Sequence, residues 1–228
     1  MRACDRLLLG CCLLAACTSG VATIPPAVDP CADLFAAAPH EWSERMAVAH
    51  ALGADATPRL LALLQDHLAA PGAPAAVCLL GRLGGPGVTD ALSTLVADRS
   101  SLATEAALAL GELRADSANA VLRACVDDAS ADASTRTAAA CALVRCGAAA
   151  AAIPMLTAVL LAGSPDGADK TRALGLPERP RWALERYMVQ RLLAQEGATE
   201  LALALDPDAS WPALAAVTQR IAAWLAAR

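Results

Sequence analysis

Ala76-Val77-Cys78-Leu79-Leu80-Gly81, followed after a turn by Leu92-Ser93-Thr94-Leu95-Val96-Ala97-Asp98, decides the fold, because both phrases recur along the chain. The first phrase is small residues, then Leu, then usually Gly. It reads Val48, Ala49, Ala51, Leu52, Gly53 upstream and Ala106, Ala107, Ala109, Leu110, Gly111 downstream. A last copy reads Ala139, Ala140, Ala142, Leu143, with Val144 in the glycine position. The marker leucines are 28, 30 and 33 residues apart, a period typical of repeat arrays. The second phrase recurs as Leu60, Leu63, Leu64, Asp66, as Val121, Ala124, Cys125, Asp127, and as Leu156, Val159, Leu160. Val88, Ala91, Leu92, Leu95 and Val96 fall at i, i+3, i+4, i+7 and i+8, one apolar face of a helix. A lone helix pair cannot bury such a face, so neighbouring pairs must stack. The expectation is an all-α solenoid of about four helix pairs over residues 41–163. Its first helices carry Ala and Gly for close backbone approach, and each Gly also stands near a chain reversal.

The segment Leu80-Gly81-Arg82-Leu83-Gly84-Gly85-Pro86 resembles the Leu-Gly-x-Leu-Gly-Asp-Pro turn of the HEAT-like repeats, in the short variety found in phycobilisome lyases, with Gly85 where Asp is usual. That family's first-helix Arg is matched by Arg45 and Arg136 and replaced by Ala73 and Ala103. Its Pro opening the second helix is matched at Pro58 and Pro154. The resemblance covers about half the chain and implies a right-handed α-solenoid. It implies little about activity, since one fold hosts many functions, and no residue matches a lyase site.

Outward from the repeats, residues 1–16 read as a targeting segment. Arg2 and Arg6 give a positive start, and Leu7 to Ala16 is an apolar run too short to span a bilayer. Leu14-Ala15-Ala16-Cys17 is similar to the lipobox of bacterial lipoproteins, which implies palmitate-type lipidation at Cys17 and attachment to the cell envelope. Thr18 follows Cys17 rather than Asp, which by that family's sorting rule points to the periplasmic face of the outer membrane. Residues 17–40 hold Pro25, Pro26, Pro30 and Pro39 and read as a tether, with a short helical turn possible around Asp33-Leu34-Phe35. Residues 146–165 carry no charge, but Gly147 and Pro154 interrupt them and their leucines keep the repeat register, so a buried helix is expected rather than a membrane span. Residues 164–180 read as a Gly/Pro-rich loop. Residues 181–228 read as a C-terminal helical module of three helices, expected over 181–196, 198–205 and 210–227, that caps the array. Trp182, Tyr187, Trp211 and Trp224 are four of the chain's six aromatic residues and gather there.

The chain has 228 residues and a net charge of −5. Loss of residues 1–16 removes Arg2, Arg6 and Asp5 and leaves 16 basic against 22 acidic side chains, a net charge of −6. That balance excludes general nucleic-acid binding, which needs a basic footprint. The stretch from Lys170 to Arg191 is a local exception, with six basic and two acidic side chains. Catalytic signatures are absent: there is no Cys-x-x-Cys, His-Glu-x-x-His, Gly-x-Ser-x-Gly or phosphate-cradling glycine loop. His50 and His67 lie on paired helices and, with Asp66, offer the alternative of a small-ligand- or metal-binding or enzymatic protein, without fixed ligand spacing. Five cysteines follow Cys17, namely Cys31, Cys78, Cys125, Cys141 and Cys146. Buried thiols are the simplest reading, and Cys125 with Cys141 or Cys146 is the pairing that adjacent repeats would permit. Asp66, Asp98 and Asp127 recur at second-helix exits and read as loop caps. The functional expectation is a lipid-anchored protein-interaction module or scaffold without cofactor or catalysis. Its partner surface is expected at Trp182, Arg186, Tyr187 and Arg191, since 182 and 186, and 187 and 191, share helix faces.

Overall fold

The computed structural model describes residues 29–162, 184–206 and 209–228. Every regular element among them is helical. Twelve α-helices follow in order: α1 Pro30–Ala36, α2 Trp42–His50, α3 Ala56–Asp66, α4 Ala73–Leu83, α5 Val88–Ala97, α6 Ala103–Leu113, α7 Asn119–Asp127, α8 Ala133–Arg145, α9 Ala149–Leu161, α10 Leu184–Gln195, α11 Thr199–Ala204 and α12 Trp211–Ala226. The expected all-α class holds, and α2 to α9 fall where the four sequence copies place helix pairs. None of these helices is long and apolar enough to cross a membrane.

Helix α1 stands where a short helical turn is expected around Asp33-Leu34-Phe35 and extends it to Pro30–Ala36. Pro30 opens it, and the Asp29 carboxylate accepts from Cys31 N–H at 3.0 Å. This is a capped helix start that the prolines around it conceal. Its Cys31, Leu34 and Phe35 are buried, and burial of each large side chain contributes about 1.5–3 kcal/mol. The helix sits directly on the entry to α4: Gly72 N–H donates to Phe35 C=O at 3.0 Å, and a side chain at Gly72 would overlap the Leu34 carbonyl.

The first helices of successive copies pack face to face, α4 on α6 and α6 on α8. Gly81 and Gly111 make that contact possible. A Cβ on Gly81 would lie 2.8 Å from Ala109 Cα, and one on Gly111 would lie 2.9 Å from Ala142 Cα. These glycines are therefore spacers between backbones. Chain reversal belongs to other residues, Gly84 (φ +64°) after α4 and Arg114 (φ +51°) after α6. The second helices α3, α5, α7 and α9 touch one another lightly and pack mainly on first helices, α5 on α6 and both α7 and α9 on α8. Leu60, Leu80, Leu92, Leu110, Leu143 and Leu156 of the two phrases form the inaccessible centre. In α7 the buried pair is Leu122 and Val126, one residue on from the expected Val121 and Cys125.

Two expected helix starts move. Pro58 is the third residue of α3, which begins at Ala56, and the hydroxyl of Thr57 before it donates to Gly84 C=O at 2.9 Å, joining two copies. Pro154 lies inside α9, which begins five residues earlier at Ala149. Asp66 and Asp98 end α3 and α5, but the carboxylate that organises the corresponding turn after α7 is Asp128, not Asp127. Asp128 accepts from Ser130 N–H and pairs with Arg99.

The C-terminal module continues the packing beyond α9. Helix α10 lies on α8, and α12 lies on α9. Arg186 on α10 repeats the role of Arg136 on α8. Arg136 Nε donates to Val126 C=O at 3.0 Å, and Arg186 donates to Val159 C=O at 3.3 Å and Ala162 C=O at 2.6 Å. Each guanidinium thus satisfies carbonyls at the end of the preceding second helix, which its own helix cannot reach. Trp211 and Trp224 are half-buried against this core, with Arg186 5.8 Å from the Trp211 ring and Arg228 4.3 Å from the Trp224 ring.

Candidate functional site

Helix α10 stands over the first helices and closes one side of a groove of about 190 Å³. Its lining follows from the repeat. Two residues before each marker leucine come Cys78, Leu108, Cys141 and, before Leu193, Arg191. Two residues after it come Arg82, Glu112, Arg145 and Gln195. All eight line the groove, with Ala109, Gly111 and Ala142 on its floor. Positions i and i+4 share a helix face, so four successive helices α4, α6, α8 and α10 present two parallel rows to one space. Leu184, Tyr187 and Met188 complete the α10 wall.

Leu184 and Tyr187 are 54% and 58% exposed, unusual for large apolar side chains in this molecule, and Leu203 on α11 is 75% exposed. Three of the five large exposed apolar residues among the described ones therefore belong to α10 and α11. Tyr187 and Arg191, both expected at a partner surface, stand on this wall. Arg186 does not. It is 8% exposed and turned onto the carbonyls after α9, so its assignment as a partner-binding residue is corrected to a packing role. Trp182 lies outside the described residues, as does Cys17.

The charges divide into bound and unbound. Glu112 takes both nitrogens of Arg145, at 2.5 and 3.1 Å. Beyond it, Glu196 is a node. Its side chain is 3% exposed and accepts from Arg114 at 2.9 Å and from Arg228 at 2.9 Å, with Arg145 Nε at 3.3 Å. Burial works against ionisation of Glu196, but the hydrogen bond from Arg228 and the Arg114 charge outweigh it and hold the carboxyl below its ordinary value. Arg82 and Arg191, by contrast, are exposed and have no carboxylate within ion-pair distance among the described residues.

The thiols are chemically quiet. Burial pushes Cys141 up to about 12 and both Cys125 and Cys146 up to about 11, and raises Cys78 as well. All five described cysteines are free. Cys125 faces Thr135 C=O at 4.0 Å and Cys146 faces Leu110 C=O at 3.8 Å, so their sulfurs point at different carbonyls and not at each other.

His50 and His67 are exposed, and the His67 ring lies 6.2 Å from Phe35. Neither they nor any other described His, Cys, Asp or Glu residues form a group able to hold a metal ion. A wider, polar hollow of about 470 Å³ opens between the turns after α5 and α7. Its charged groups engage one another: Arg99 pairs with Asp128, and Asp132 caps α8 through Thr135 N–H at 2.9 Å.

The equivalence of the groove-lining rows was open to sequence reasoning. Arg45, Arg136 and Arg186 each precede a marker leucine, Leu52, Leu143 and Leu193, by seven residues, so Arg186 carries the signature of a first helix. The large side chains of α10 hide it, because Tyr187, Met188 and Arg191 replace the small residues of the other copies. Comparison with known proteins yields no matching family model, no matching curated protein and no matching solved structure.

Proposed function

We propose that the chain is a non-catalytic protein-interaction module of the bacterial cell envelope, built as a HEAT-like α-solenoid and anchored by lipid at Cys17, on the periplasmic face of the outer membrane. One observation carries the interaction reading: equivalent positions on four successive first helices line a single groove, and its α10 wall leaves Leu184 and Tyr187 exposed. Helical arrays bind partners through extended faces of this kind, and exposed aromatic side chains are the usual energetic anchors of protein contacts. The groove's volume, below the roughly 300 Å³ at which small-molecule pockets begin, favours side chains of a partner over an enclosed ligand. The lipobox-like Leu14-Ala15-Ala16-Cys17 supports the anchor.

A photo-crosslinking amino acid at Tyr187 in the native host tests the reading. It should trap one discrete partner, whereas the same probe at Val48, exposed at the other end of the array, should not. Equal trapping at both positions, or at neither, refutes an interaction groove. Cys17→Ala should abolish palmitate labelling and free the protein from membranes. Equal label in both forms refutes the anchor.

A further inference from the structure

The groove's unbalanced charge says what kind of segment it accepts. Its lining carries three guanidinium groups, Arg82, Arg145 and Arg191, against one carboxylate, Glu112. Glu112 and Glu196 neutralise Arg145. Arg82 on α4 and Arg191 on α10 are left, on opposite walls, without an ion-pair partner among the described residues. Both act electrostatically on the Cys78 thiol between them, together with Glu105 and Glu112 from α6. The same lining is apolar at Leu108, Cys141, Met188 and Tyr187, beside the Glu112–Arg145 pair. A chain with a net charge of −5 thus holds, among the described residues, two cations without an ion-pair partner in one groove with apolar side chains.

We propose that the groove binds a protein segment in which a carboxylate side chain stands beside a large apolar one. This rests on the interaction reading above and names the partner's chemistry. The carboxylate lies between Arg82 and Arg191, where charge-assisted hydrogen bonds of the guanidinium–carboxylate kind form. The apolar side chain covers Leu108 and Met188 against Tyr187. Both arginines are exposed in the free protein, so they act chiefly on encounter rate and on selection against basic sequences.

The full chain, in detergent, is titrated against matched peptide sets in which one Leu or Phe neighbours Asp or Glu, the corresponding Asn or Gln, or Lys. Acidic peptides should bind at least about 10-fold more tightly than their amide versions, a difference of about 1.4 kcal/mol. Affinity should fall as salt screens the charges. Arg82→Glu and Arg191→Glu should each erase the preference with an unchanged melting temperature. Amide or Lys peptides that bind equally well and lose binding on Tyr187→Ala overturn the acidic preference while leaving the interaction groove intact. Binding of phosphatidylglycerol vesicles with the same arginine dependence, and of no peptide, overturns it in favour of a lipid surface. No binding by any peptide overturns both it and the groove as an interaction site.

Discussion

Glu196→Gln is the most informative single change in the molecule, because it replaces a buried anion by a neutral amide of almost the same shape. The carboxylate is 3% exposed and serves Arg114 from the end of α6, Arg145 from the end of α8 and Arg228 from the chain's last residue. Removing one member of a fully buried pair costs about 3–5 kcal/mol. Here the arginine side chains are 59%, 14% and 33% exposed, and Arg145 keeps Glu112, so water and the second carboxylate compensate much of the loss. A charged hydrogen bond contributes about 1.5–3 kcal/mol, and a cost of that size is expected. For a domain of this length it lowers the melting temperature by roughly 3–12 °C. The pH dependence follows from the depressed carboxyl. Its stabilisation is complete above the unfolded value, about 4.3 for Glu, and is lost as pH falls through the lower folded value. Urea melts followed by tryptophan fluorescence should therefore show a deficit at neutral pH that closes in acid. A deficit that persists in strong acid means that Gln disturbs packing, and the electrostatic account fails. No deficit at neutral pH means that the node does not hold the C-terminal module.

Leu110→Ala should cost about 2–5 kcal/mol, since Leu110 is wholly inaccessible between α4 and α8, whereas Glu112→Ala should cost about 0.2–1 kcal/mol through its contact with Arg145. Paired thermal melts decide, and similar losses would show that the contact phase of α6 is wrong. Thiol labelling with a disulfide reagent at mildly alkaline pH should leave Cys141 unmodified in the native chain, because its thiol is inaccessible and pushed up to about 12, and should modify it in urea. Rapid native labelling of Cys141 would refute that burial.

The helices of the four copies were legible because spacing and apolar phase survive even where composition is extreme. Ala, Leu and Gly at fixed intervals determine which face is buried, and Leu80, Leu110 and Leu143 are fully inaccessible. The phase slips by one residue in α7, however, where Leu122 and Val126 are buried in place of Val121 and Cys125, and the first copy leaves Leu52 and Leu63 only half-buried. Three parts were legible only in part, each for a physical reason. Helix α1 is short and sits among prolines, so its stability comes from docking on Gly72 and not from its own pattern. Arg186 looks like a surface cation because its partners are backbone carbonyls, which leave no trace in side-chain sequence. Glu112 is solvent-exposed two residues past Leu110, as its phase implies, and what the sequence hides is its partner Arg145, which comes from the next copy, 33 residues on. Part of the groove was visible in the sequence as the pair Tyr187 and Arg191. The other half was not, because Cys78, Leu108 and Cys141 read as ordinary members of a small-residue helix until α10 is placed above them.

The glycine contacts between first helices also decide which part of the groove has mechanical freedom. With Gly81 against Ala109 and Gly111 against Ala142, the backbones of α4, α6 and α8 already meet at the limit that atoms permit. Further closure is blocked by hard repulsion, and separation forfeits contact along whole helix faces. Those three helices form a fixed anvil. Helix α10 brings long side chains instead, Met188, Leu192 and Arg191, and it is held by its buried Val189, Leu192 and Leu193 together with Glu196, the reach of Arg186 and the hydrogen bond from Ser134 to Glu185. The width of the opening is therefore set by the one wall built from long side chains. A segment too thick for the resting gap therefore meets its softest wall at α10, where exposed side chains such as Tyr187 and Arg191 can change rotamer without any backbone moving.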